Sequence, residues 1–260
     1  MIETKERIQL PMMALRGLTV FPNMAISFPV GRQKSLDALE AADEGDKRIF
    51  LVAQRDPEDA SPEQMGLYEF GTVATIKQIL KLPGNMTHVI VEGVIRGRLA
   101  TIQHKRKCEY AEITTIAQDF PELPEVHTAA EMRIAQDLYE EYAKFVPNTT
   151  AVDLLPNVLA AGKPGKLADV IAAGLEISFD RKQKILEILN PYDRLQAVMD
   201  IMRYEQQVLR VKREIEAKTK DAIDKNQREY YLREQLKAIS GELGEEDPQE
   251  EQNEYYAKIE

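Results

Sequence analysis

The chain has no tryptophan, one cysteine, three histidines and no apolar run near the ~18 residues a membrane-spanning helix requires. A lone thiol closes no intrachain disulfide, so the 260 residues must be held by packed cores alone. The histidines, His88, His104 and His127, match no zinc-ligand spacing, and no metal site is expected. The opening stretch MIETKERIQLP lacks the apolar core of a secretory signal. A cytoplasmic protein without membrane contact is the expectation.

Positive charge is also scarce, with 44 acidic against 34 basic residues and a net charge of −10. Such a surface repels phosphate backbones, which argues against nucleic acid as a partner. The cluster Lys105-Arg106-Lys107 is too short for a nucleic-acid footprint. It precedes Cys108, and neighbouring cations can lower a thiol pKa. No base or second cysteine accompanies it in sequence, so the thiol is read as incidental.

What is present divides into three segments and a tail. Residues 1–117 read as strands at 8–15, 25–30, 48–53, 70–80, 87–95 and 98–104, punctuated by Gly and Pro. Pro83-Gly84-Asn85 marks a hairpin turn. One helix, Gln33 to Ala42, buries Leu36 and Leu39. Short strands with one helix predict a small barrel or a strongly curved sheet.

Residues 118–189 change to helical periodicity. Thr128 and Glu131 have the spacing of a capping box. Behind them runs a core stripe of Met132, Ala135, Leu138, Tyr139, Tyr142, Phe145 and Val146. Further helices are expected near 150–161, 165–174 and 180–189, forming a compact bundle.

Residues 190–243 open on Asn190-Pro191, an N-cap followed by proline at the first helical position. Some ~50 residues of helix follow, or ~75 Å at ~1.5 Å per residue. A seven-residue repeat places Ile201, Val208, Ile215, Ala222 and Leu236 on one line, with Val211, Leu232 and Ile239 on its partner. Lys218, Lys225 and Glu229 interrupt the seam, so the arm packs at its ends and is weak in its centre. Its apolar ends, Ile201, Val208 and Val211, then Leu232, Leu236 and Ile239, fit either another protomer's arm or the chain's own bundle. Residues 244–260 carry seven carboxylates and one lysine and read as an acidic linker.

No residues of known catalytic spacing emerge. The Ala160–Leu167 stretch around Gly162-Lys163 has Ala where a phosphate loop starts with Gly and Leu where it needs a hydroxyl. Gly93-Val94-Ile95-Arg96-Gly97 lacks the strand–turn–helix setting of a dinucleotide fold and reads as a bulge or bend. Ser240 and Lys237 are ordinary helix-surface neighbours rather than a dyad.

Three stretches resemble a known family, the Lon-type ATP-dependent proteases. Leu10–Met24 (LPMMALRGLTVFPNM) with Val30–Ser35 (VGRQKS) is similar to its opening, and Val89–Arg96 (VIVEGVIR) to its next marker. Gln227–Ile239 (QREYYLREQLKAI) resembles the specific motif that closes its long helix. The resemblance implies an α+β chain: a PUA-like β pseudobarrel, a helical bundle, and an arm leading toward an AAA+ module. It implies a hexameric serine protease of protein quality control that unfolds substrates with ATP and Mg²⁺. This chain would be its N-terminal substrate-recognition, positioning and assembly part. The acidic linker would point toward an AAA+ module not included here. The chain itself contains neither a Walker motif nor the Ser–Lys dyad, so no catalytic residue and no cofactor is expected in it.

Capture of unfolded or misfolded proteins calls for adaptable apolar contacts, to which methionine is suited. Met24, Leu82 and Met86, beside turn signals, and Pro22 are the expected contact residues. Met12, Met13 and Leu80 are expected in the core. An RNA-binding PUA-like protein and a stand-alone adaptor are the alternatives.

Overall fold

The computed structural model describes residues 4–83, 86–105, 108–116, 120, 124–146 and 149–243. Six strands come first: β1 (Thr4–Leu15), β2 (Ala25–Val30), β3 (Arg48–Ala53), β4 (Phe70–Leu82), β5 (Met86–His104) and β6 (Glu109–Ile116). Helix α1 (Gln33–Glu44) links β2 to β3. Strand order is β2-β5-β4-β3-β1-β6, and β6 pairs with β5 as well as β1. Strands β1, β3, β4, β5 and β6 therefore close into a ring, with β2 added along the first half of β5. Closure removes the free edges of the ring strands, which would otherwise invite other chains.

The strands are apolar in runs because both of their faces are covered. Met12 and Met13 point opposite ways: Met12 joins Leu10, Phe50, Val73, Leu99 and Ile113, while Met13 joins Phe28, Leu39, Leu51 and Val91. Helix α1 seals the second core with Ala38, Leu39 and Ala42, and Leu36 is only partly buried beside them.

Two strand expectations need correction. Residues 87–95 and 98–104 are one 19-residue strand, and 109–116 form a sixth strand. Gly93 and Gly97 do not break β5. Val94 is a bulge, since Ile95 pairs with Val73 and Gly93 with Ala74. Gly97 faces Gly71 across β4, and added Cβ atoms there would meet the Phe50 ring at 3.1 and 2.7 Å. The glycines make room for an aromatic side chain. The turn residues Gly84 and Asn85 lie outside the described residues.

Helices follow: α2 (Glu125–Phe145), α3 (Thr149–Asp153), α4 (Leu155–Leu159), α5 (Pro164–Gly174), α6 (Phe179–Glu187) and α7 (Pro191–Leu243). The expected capping box is displaced. Helix α2 starts at Glu125, one turn before Thr128, whose N–H already donates to Pro124 O. Pro124 occupies the N-cap position, so Thr128 stands inside the first turns with its hydroxyl buried and unpaired.

The aromatic stripe is core. Tyr139 and Tyr142 pack with ring centroids 6.1 Å apart, and the Tyr139 hydroxyl donates to Ala151 O at 3.0 Å. The Tyr142 hydroxyl accepts from Glu176 N–H at 2.9 Å. Burial pushes both phenols above their ordinary value.

By contacts the chain forms two compact units, residues 1–206 and 207–260. The start of α7 belongs to the first, burying Leu195, Val198, Met199, Met202 and Gln206 at helical spacing. Gln206 Nε2 donates to Leu138 O at 3.1 Å. Ile201 is half-buried at the margin of this face. In the second unit α7 continues with exposed side chains, including Val208, Val211, Ile215, Leu232, Leu236 and Ile239.

Candidate functional site

Within the first unit, a groove of about 260 Å³ lies where the strand-linking segment 17–26 meets α3–α6. One wall carries Leu18, Val20, Phe21, Met24 and Ile26; the other carries Leu154, Ile177 and Phe179. Most of these are only partly covered, so apolar surface is held open rather than sealed.

The first wall is shaped by backbone constraints. Gly17 and Asn23 both take positive φ, near +59° and 61°, where glycine and asparagine are tolerated. The turn between them is pinned on β5: Asn23 N–H donates to Gly93 O and Gly93 N–H to Met24 O. A Cβ on Gly93 would lie 2.2 Å from Phe21 O, so only glycine lets the turn approach. Thr72 Oγ1 donates to Val20 O at 2.6 Å from below.

The second wall is held to the barrel by a buried charge cluster. Arg96 of β5 meets both Asp169 oxygens, and its Nε donates to Leu186 O at 2.9 Å. Arg194, in the first turn of α7, brings its Nε within 3.0 Å of Asp169 Oδ1 and its Nη1 to the carbonyls of Ile188 and Leu189. At 3.0 Å the Arg194–Asp169 contact is an ion pair without hydrogen-bond alignment. All three side chains are buried and carry a combined charge of +1. Burial and the neighbouring Arg96 lower the Arg194 pKa to about 10, which leaves it charged at neutral pH. Gln183 Nε2 to Phe70 O and Tyr68 Oη to Asp180 add two ties from α6 to the barrel.

The sequence-predicted contact residues are scattered. Met24 lines the groove and is half-buried. Pro22 is buried beside it, its Cα 3.2 Å from where a Gly93 Cβ would stand. Leu82 and Met86 pair at the end of the β4–β5 hairpin, and their side chains lie outside the described residues. Met12 and Met13 are core, while Leu80 is 36% exposed rather than buried. Cys108 is buried in the α1-side core, and burial with Asp37 and Glu109 nearby pushes its thiol up rather than down. Sequence reading missed Ile177 and Phe179, because a half-buried apolar residue has the same sequence signal as a core one, and Lys182, because nothing local marks a lysine that will line a groove. It also missed the Arg96–Asp169–Arg194 cluster, whose members are up to 98 positions apart.

The phosphate-loop-like stretch folds as the start of α5. Lys163 is its N-cap, Pro164 removes an N–H at the first helical position and Leu167 is fully buried. These residues do not fit a nucleotide. Among the described residues, no group of three or more His, Cys, Asp and Glu side chains could hold a metal, and no helix is long and apolar enough to cross a membrane.

A family model described as "ATP-dependent protease La (LON) substrate-binding domain" matches residues 9–204. The chain belongs to this Lon family. It is 40% identical over 258 residues to the Lon protease of Clostridium acetobutylicum, covering 98% of this chain and 33% of that protein. Against the Lon protease of Escherichia coli K12 it is 38% identical over 257 residues, covering 97% and 32%. The chain thus spans about a third of the length of these curated Lon relatives. The fold is shared with a solved N-terminal domain of Mycobacterium avium complex Lon protease, at a TM-score of 0.56 and 19% identity. That likeness covers 75% of this chain and 98% of the solved one. A Lon N-terminal domain protein from Xanthomonas campestris matches at 0.53 and 15%, covering 74% and 98%. The match to the Lon model ends at residue 204, next to the division between the two compact units.

Proposed function

We propose that this chain is the module that captures and positions unfolded or misfolded protein substrates for a Lon-type ATP-dependent protease. The observation that carries this reading is the open apolar groove in a chain of the Lon substrate-binding family, with half-buried Met24 on its wall. Partly covered apolar side chains of this kind offer adaptable contact to varied sequences. The groove's walls come from the barrel and the bundle, and the buried cluster fixes their spacing in advance, which limits the ordering entropy lost on binding.

In this reading the chain is non-catalytic. ATP, Mg²⁺ and the serine-protease chemistry belong to the remaining two thirds of the parent, and the parent works as a cytoplasmic hexamer. The arm contributes to assembly through Val208, Val211, Leu232, Leu236 and Ile239, all 41–64% exposed on α7. Ile201, docked at the margin of the bundle, serves the chain's own packing.

The test is titration of a fluorescently labelled unfolded protein, with Met24, Leu82 and Met86 replaced by serine. About a tenfold loss of affinity is expected with unchanged circular dichroism. Unchanged affinity in a folded variant removes these residues from the site.

A further inference from the structure

The polar side chains lining the groove are Lys182, Thr19 and Thr150, and the first two point to a particular end of a polypeptide. Lys182 of α6 is its one charged lining residue, and no carboxylate lines it, in a protein of net charge −10. One of the three ammonium donors is used, on Ala173 O at 3.0 Å, which leaves two for a ligand. Burial lowers the Lys182 pKa, and the carboxylate of Glu176 acts against that shift. Thr19, from the opposite wall, is 7% exposed, and its hydroxyl has no hydrogen-bond partner.

A buried hydroxyl without a partner is unfavourable, and so is an ammonium partly removed from water. Both deficits are met by a group that accepts hydrogen bonds, carries negative charge and arrives attached to apolar side chains. The free C-terminus of a polypeptide with apolar last residues has that composition. An internal peptide segment offers the apolar side chains but no charge. The volume, about 260 Å³, falls just below the usual ~300–1,000 Å³ of ligand pockets, which suits one or two side chains rather than a long segment.

We propose that the groove binds the free C-terminal end of apolar polypeptides, with Lys182 and Thr19 meeting the terminal carboxylate. This rests on the capture reading above and names the class of chain end preferred.

The experiment compares two fluorescein-labelled ten-residue peptides ending in Leu-Leu, one with a free carboxylate and one amidated, by anisotropy against the whole chain. The free acid is expected to bind about tenfold more tightly, as a charge-assisted contact implies. Lys182→Met, with unchanged thermal unfolding, is expected to erase the difference, and Thr19→Val to reduce it. If Lys182→Met does not fold, Thr19→Val and the acid–amide comparison in the unmodified chain still decide. Equal affinities for acid and amide overturn the proposal, as does a difference that survives Lys182→Met, or failure of both peptides to bind. Equal, tight binding of both leaves general capture standing. Only failure of a labelled unfolded protein to bind removes that broader reading.

Discussion

Arg96 and Asp169 lie 73 positions apart in sequence, yet the guanidinium of one meets both carboxylate oxygens of the other, at 2.9 and 2.5 Å, away from water. Arg194 completes the group from α7. One side chain each from the barrel, α5 and α7 thus depend on a shared set of charges, and removal of Asp169 leaves both arginines buried without a counter-charge.

The cost of breaking this cluster should follow its remaining charge. Asp169→Ala leaves two buried cations and is expected to destabilise by roughly 3–5 kcal/mol or more. Arg96→Met leaves a neutral pair and should cost less, even with Leu186 O unsatisfied. Urea denaturation monitored at 222 nm gives the order directly. A milder effect for Asp169→Ala than for Arg96→Met would contradict the charge argument.

Gly93 should tolerate no side chain. An alanine there meets Phe21 O at 2.2 Å, so the turn carrying Pro22 and Met24 must move. A loss of about 1–3 kcal/mol is expected, with weaker binding of unfolded protein. Gly162→Ala, which meets nothing within 4 Å, is the control and should leave both unchanged.

These two sites show what sequence pattern conveys and what it does not. Strands 25–30 and 48–53 were legible to the residue, because alternation or an apolar run ends at a clear break. The bulge read at Gly93–Gly97 is there, at Val94, but the strand break is not, since a glycine that admits another group has the same letter as one that ends a strand. β6 was passed over although Glu109–Ile116 half-alternates, its signal masked by the charged run before it. The arm's heptad marked Ile201, whereas the buried line runs through Leu195, Val198, Met199 and Met202. A helix docked on a bundle follows the spacing of its neighbours rather than a two-stranded seam. For the groove, Met24 was legible from its turn. Lys182 and Thr19 were not, because nothing local says which polar groups will lack partners.

Shortening the chain should separate folding from the arm. A chain ending at Gln206 keeps the first unit whole and is expected to unfold cooperatively. One ending at Asn190 loses Leu195, Val198, Met199 and Met202, each worth about 1.5–3 kcal/mol of burial, together with Arg194. That sum rivals the ~5–15 kcal/mol stability of an ordinary domain, so the shorter chain should lack a cooperative transition. Thermal melts of both lengths provide the check.

Cys108 should resist labelling in the native chain. Its thiol is buried and its pKa lies above the ordinary 9.0, so thiolate is scarce at pH 8. A maleimide is expected to react at least tenfold faster after denaturation. Because the folded pKa is raised, the folded state holds this proton longer than the unfolded one. Its contribution to stability is therefore complete below pH 9.0 and is lost as pH rises through the folded value. A Cys108→Ala variant should show a flatter decline of stability above pH 9.

β5 serves three neighbours along five consecutive positions. Gly93 seats the turn, Val94 bulges, Arg96 reaches the helices and Gly97 admits Phe50. A deletion of one residue in this stretch shifts every later side chain to the opposite face of the sheet. Loss of any of residues 93–96 would put Gly97 where the guanidinium is required and Arg98 where Phe50 needs room. Length variation among natural sequences of this fold should therefore be absent between positions 93 and 97, and free to accumulate at hairpin tips and between the barrel and the bundle.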